Sequence, residues 1–128
     1  MPNLPKQPKP QNPAALRQAW KDERTAARQA RADGDQFREC HHLGRAHILS
    51  QPLVLLHIRT HAAMLGFGIR NRDRREVTGQ LLRLLVAGPG TVTRRYPLGN
   101  PGGAAVSAVE PMDIPTDLQV FLAPVGAS

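Results

Sequence analysis

One cysteine, one tryptophan, one tryptophan-sized handful of other rings (one tyrosine, three phenylalanines) and 128 residues: each scarcity excludes something. A single cysteine rules out an intrachain disulfide. With aromatics at 4%, the core has to be built from Leu, Val, Ile and Ala. No apolar run approaches the ~20 residues needed to cross a bilayer, and the opening MPNLPKQPKPQNP lacks the apolar stretch of a secretory signal. A soluble, cytoplasmic protein with no membrane partner is the expectation. Proline and glycine are not scarce, at 12 and 11, yet they avoid residues 14–33 and gather toward both ends. That distribution separates a helical middle from irregular flanks.

The formal net charge is +7, carried mostly by arginine. Such a field attracts polyanions, so an acidic protein or a nucleic acid is a partner to consider. The arginines, however, are interleaved with Asp and Glu, and no stacking aromatics or DNA-binding motif accompany them. The tightest group, Arg70, Arg72, Arg74 and Arg75, is diluted by Asp73 and Glu76. An acidic protein is therefore the better partner than nucleic acid, and a homo-oligomer is left open.

All five histidines lie between Glu39 and His61, in ECHHLGRAHILSQPLVLLHIRTH. Read as a helix, a turn at Ser50-Gln51-Pro52 and a second helix, this stretch is a hairpin with imidazoles on both arms. His57 and His61 are four apart and share one helical face, which Leu53 and Met64 continue as an apolar stripe. His47 precedes the turn and His57 follows it by just over a turn of helix, so an antiparallel hairpin brings both to about the same height. His47, His57 and His61 form the primary ligand set for one transition-metal ion; imidazoles suit zinc, copper or iron. Three protein ligands would leave one coordination position open.

The remaining candidates are secondary. His42 lies roughly 140° around the helix from His47 and pairs instead with Glu39 in a Glu-x-x-His step, the element that di-iron bundles use twice. Only one such step is present. Cys40 is seven residues before His47, on the same side, as a soft ligand or a small core residue; Met64, Glu23 and Glu76 complete the list. The zinc-protease spacing His-x-x-x-His requires Glu after the first His, and here Ile58 stands there. No general base, nucleophile or cofactor loop marks the chain as an enzyme. A pairing of Cys40 with a histidine as nucleophile would predict rapid alkylation at neutral pH. The rival to metal binding is a metal-free basic interaction module.

The fold class is mainly α, a compact bundle of about four helices with an irregular, extended C-terminal segment. Residues 1–12 form a flexible tail, 13–122 a single helical domain with a C-terminal wrap, and 123–128 a further tail. Asn12 caps a first helix with Pro13 at its first position; Leu16, Ala19, Trp20, Glu23, Ala27 and Ala30 make its stripe, and Asp33-Gly34 stops it. Asp35 caps a second helix with Phe37, Cys40, Gly44, His47 and Ile48 along one side. Gly44 costs about 1 kcal/mol against Ala, so close packing, or room for the ring of His61, has to compensate. Pro52 sits in the first turn of the third helix, and Gly66 and Gly68 end it. Asp73 and Glu76 form a capping box for a fourth helix that turns Val77, Leu81, Leu84 and Leu85 to the core and stops at Gly88-Pro89-Gly90. Thr91 to Thr93 and Ala104 to Val109 read as strand-like pieces, and Pro115-Thr116-Asp117 opens a last short helix through Leu122. Gly99 to Gly103 reads as turns with positive φ in preference to an anion-binding nest.

The elements AHILSQP, the His57-x-x-x-His61 pair, Met64-Leu65, EVTGQLLRLL, YPLGNPGG and PMDIP, in this order, resemble a small bacterial family known only as a domain of unknown function. The likeness covers roughly residues 14–122. It implies one intact domain that includes the tail, with Ala46-His47, His57, His61 and Gly79-Gln80 as signature positions, and no activity. In that family's pattern the position of Gly44 is commonly acidic, forming a Glu-x-x-His step with His47; glycine here removes that carboxylate.

Overall fold

The computed structural model describes residues 6–95, 97–103 and 111–122. The fold is mainly helical: α1 (Pro13–Ala32), α2 (Gln36–Ser50), α3 (Val54–Arg70), α4 (Arg74–Thr93) and the short α5 (Thr116–Leu122). Among the described residues there is no strand, and no helix is long and apolar enough to cross a membrane.

Local chemistry accounts for the helix starts. The Asn12 side chain accepts from the Ala15 N–H, the Asp35 side chain from the Arg38 N–H, and the Asp73 side chain from the Glu76 N–H, each at 3.0 Å. Each pairs one of the N–H groups that a helix start leaves without a partner. Gly34, at φ +72, reverses the chain after α1, a conformation that costs glycine little.

The short turns make α1, α2 and α3 antiparallel neighbours, and the core falls into two clusters along them. Leu16 and Trp20 of α1 meet Ala46, Ile48 and Leu49 of α2, Leu56 of α3, and Leu118 and Leu122 of α5. Further along, Ala27 of α1, Leu43 of α2 and Met64 of α3 form the second. The alanines of α1 let α2 come close, and α1 against α2 and α3 against α4 are the most extensive interfaces. Trp20 donates from Nε1 to Thr60 Oγ1 at 2.8 Å in the buried interior, which satisfies the one polar atom of its ring.

Several sequence expectations are corrected here. Phe37 and Cys40 are exposed; they lie near the start of α2, where only the face bearing Glu39 and Leu43 is buried. Pro52 lies in the turn ahead of α3, whose N-cap is Leu53, and α3 runs through Gly66 and Gly68 to Arg70. Gly68 is instead a contact point, since a Cβ there would stand 3.2 Å from Glu76 Cβ and Val77 N of the next helix. Gly88-Pro89-Gly90 does not stop α4, and Thr91 to Thr93 are helical. Leu81 and Leu85 are exposed while Gln80 and Arg83 are buried, so α4 turns a polar face inward. Ala104 to Val109 lie outside the described residues.

Gly44 is compensated by close packing: a Cβ would come 3.3 Å from Pro101 Cβ. The segment carrying Pro101 lies across α2. Gly99 and Gly102 have φ of 81 and 80, as turns there require, and the N–H groups of Gly99 and Gly102 donate to Gln51 Oε1 and Asn100 Oδ1. Those N–H groups are committed within the protein, so the segment is a structural turn.

Candidate metal centre

Helix spacing and the α2–α3 turn bring three imidazoles together in the interior. His47, His57 and His61 are 3%, 6% and 3% exposed. Their Nε2 atoms form a nearly equilateral triangle: 3.0 Å from His47 to His61, 3.0 Å from His57 to His47 and 3.1 Å from His61 to His57. The rings are mutually tilted, so the nitrogens converge while the ring planes fan outward.

The partners of the outer nitrogens fix two of the tautomers. His47 Nδ1 is 2.6 Å from the carbonyl oxygen of Asn100. A carbonyl can only accept, so His47 Nδ1 carries the proton. His61 Nδ1 is 2.6 Å from Gln80 Oε1. The orientation of that amide is determined by its other end, where Nε2 donates to Gly102 O at 2.7 Å and to Glu76 Oε1 at 2.6 Å. His61 Nδ1 is therefore a donor too. Both rings then present bare Nε2 lone pairs toward each other at hydrogen-bond distance, with no proton of their own to share. His57 Nε2, at 3.0 and 3.1 Å from the other two, can donate a proton to one of them, and a metal ion among the three would serve all three lone pairs.

Charge supports the neutral ligand forms. Burial, reinforced by the neighbouring His57 and His61, holds His47 well below the ordinary imidazole value. Burial also lowers His61, against the opposing effect of its bond to Gln80. Arg83 disfavours further positive charge on both rings, while Glu76 has the opposite effect on His61.

The three primary candidates from the sequence thus meet, and they are the group of potential ligands that converges among the described residues. The secondary candidates are engaged elsewhere. Glu39 accepts from both terminal nitrogens of Arg70 at 3.1 and 2.7 Å. Glu23 meets His42 Nδ1 at 2.7 Å and Arg45 Nε at 2.8 Å. Met64 packs with Ala27 and Leu43. Glu76 accepts from Gln80, behind the triad rather than within it. Cys40 is exposed, and partial desolvation followed by Glu76, Glu39 and Asp73 pushes its thiol upward; this opposes the activated thiolate that the nucleophile reading needs. Three participants carried no signal in the residue pattern: the role of Gln80, the Asn100 carbonyl, and Gly102, whose added Cβ would fall 2.5 Å from His47 Cδ2.

A family model described as a protein of unknown function (DUF3703) matches residues 14–122. The chain belongs to this family. The matched span takes in all three histidines and the Asn100–Gly102 segment laid over them, so triad and cover are parts of one family domain. No curated protein and no solved structure matches the chain.

Proposed function

We propose that this DUF3703 protein binds one transition-metal ion through the Nε2 atoms of His47, His57 and His61. The observation that carries the reading is the convergence of those atoms at 3.0–3.1 Å with the Nδ1 protons of His47 and His61 held by Asn100 and Gln80. Metal-bound histidines characteristically donate their other N–H to an oxygen, which fixes the tautomer and the ring direction.

The triangle also suits a metal by size. Nitrogens this close could all reach one ion at the usual metal–imidazole distance of about 2.0–2.1 Å. Zinc, copper and iron all accept three imidazoles. Neither Cys40 nor Met64 joins the triad, so no soft ligand selects copper. All three ligands are neutral, so a divalent ion would keep its full charge in a buried place.

The test is the elemental content of tag-free protein purified without chelator, beside His57→Ala. Near-stoichiometric metal in the wild type, lost in the variant, is expected. No metal in either protein after anaerobic addition of zinc, copper and iron salts would overturn the reading and leave the basic interaction module in its place.

A further inference from the structure

A second site lies away from the triad and does not rest on the metal reading. Arg24, Arg28 and Arg31 follow one another at i, i+4 and i+7 on one stripe of α1. Together with Arg70 of α3 and one carboxylate, Glu39 of α2, they line a cavity of about 220 Å³ between α1, α2 and α3. Arg70 is neutralised by Glu39 through two hydrogen bonds. Among the described residues no carboxylate is within ion-pair distance of Arg24, Arg28 or Arg31. The Nε of Arg24 is buried without a hydrogen-bond partner, and the guanidinium carbon is held 5.4 Å from the centre of the Trp20 ring. Buried donors are ordinarily satisfied, and a stripe of uncompensated guanidinium groups repels itself.

We propose that this cavity binds a small oxyanion of the phosphate class, as the free ion or as the phosphoryl end of a small metabolite. Guanidinium groups offer paired N–H donors that match the oxygens of a phosphate, and an anion would supply the missing partner of Arg24. The cavity falls below the ~300 Å³ typical of sites for drug-sized ligands, so a phosphate with a small attachment fits and a larger organic ligand does not. Gly66 on the α3 wall leaves the space open, with nothing within 4 Å of where its Cβ would be. Burial and the like charges of Arg28 and Arg59 lower the proton affinity of Arg24, consistent with a cation that lacks its counter-charge.

The experiment is calorimetric titration of the full chain with inorganic phosphate and, separately, with phenyl phosphate, in a chloride background of matched ionic strength. Saturable 1:1 binding is expected, weakened at least tenfold by Arg24→Gln and by Arg28→Gln and unchanged by Arg17→Gln, which replaces an exposed arginine of α1 outside the cavity. The tighter of the two probes tells free ion from phosphoryl group. Arg28 is exposed, so Arg28→Gln keeps the test valid if Arg24→Gln fails to fold. Binding no better than chloride, or equal in wild type and both cavity variants, would overturn the proposal. So would capture of a single-stranded oligonucleotide, with steep salt dependence, by a protein that ignores both small phosphates.

Discussion

Replacing Gln80 by leucine separates the two things that this residue does. Gln80 is fully buried; its Oε1 accepts the His61 Nδ1 proton, and its Nε2 donates to Gly102 O and Glu76 Oε1. Leucine of similar volume leaves His61 Nδ1–H and the Gly102 carbonyl without partners, while half-buried Glu76 regains water. Each stranded buried group costs about 1–3 kcal/mol, and the added apolar side chain recovers about 1–2 kcal/mol. A net loss of up to about 5 kcal/mol, centred near ~2–3 kcal/mol, results, within the ~5–15 kcal/mol that a domain of this size has available. The second effect is on the ligand. Without its acceptor, His61 is free to move the proton to Nε2, which removes the lone pair, and loss of such a partner typically lowers metal affinity ~10–100-fold. Urea denaturation of the metal-free protein reads the first effect, and zinc competition against a chromogenic chelator reads the second. A Gln80→Leu protein that is destabilised yet binds zinc like the wild type would refute the assignment of His61 as a ligand oriented by Gln80. One that is neither destabilised nor weakened would refute the hydrogen-bond network itself.

Three further perturbations probe the same interior, and a fourth, at an exposed turn, is their control. His47 and His61 have depressed pKa values when folded, so the unfolded chain takes up protons first as pH falls. Their contribution is complete above about 6.5 and lost below it, down to the folded values; the unfolding free energy of the metal-free protein, read by urea denaturation, should drop between pH 7.5 and 5.5 by roughly 1 kcal/mol per histidine, and an unchanged value would contradict their burial as neutral rings. Gly102→Ala puts a Cβ at φ +80 within 2.5–2.7 Å of three atoms of the His47 ring, for a loss of about 2–5 kcal/mol together with metal binding. Gly34→Ala, at φ +72 with nothing nearby, should cost only about 1–2 kcal/mol and spare the metal in the same assay. Thr60→Val strands the Trp20 N–H at about 1–3 kcal/mol, and the fluorescence of this single tryptophan reports both the altered contact and the unfolding midpoint.

How far the sequence could be read depends on which atoms carry the information. The helix starts were legible because Asn12, Asp35 and Asp73 act through side chains on N–H groups three residues ahead. The histidine triad was legible because His57 and His61 share a face by spacing, and a short turn constrains the height of His47. Cys40 shares the angular position of His47 but lies two turns nearer the start of α2, where that side of the helix stays uncovered. Angular periodicity contains no information about coverage at the end of a helix. The Asn100 carbonyl was invisible for a different reason, since a backbone oxygen leaves no trace in residue type.

The inward face of α4 shows the limit most directly. Apolar periodicity selected Leu81 and Leu85, yet the helix buries Gln80 and Arg83, which lie on the other side of its circumference. Burying leucines there would gain apolar contact but leave the His61 N–H and the Gly102 carbonyl without Gln80. With each stranded group costing about 1–3 kcal/mol and a buried leucine worth about 1.5–3 kcal/mol, the polar loss is as large as the apolar gain. Helix orientation is then decided by the partners that the histidines require. The family likeness singled out Gly79-Gln80 without a reason; the hydrogen bonds of Gln80 supply one. An inward polar stripe on a leucine-rich helix is thus a consequence of the imidazoles opposite it, and its rotation could not be inferred from α4 alone.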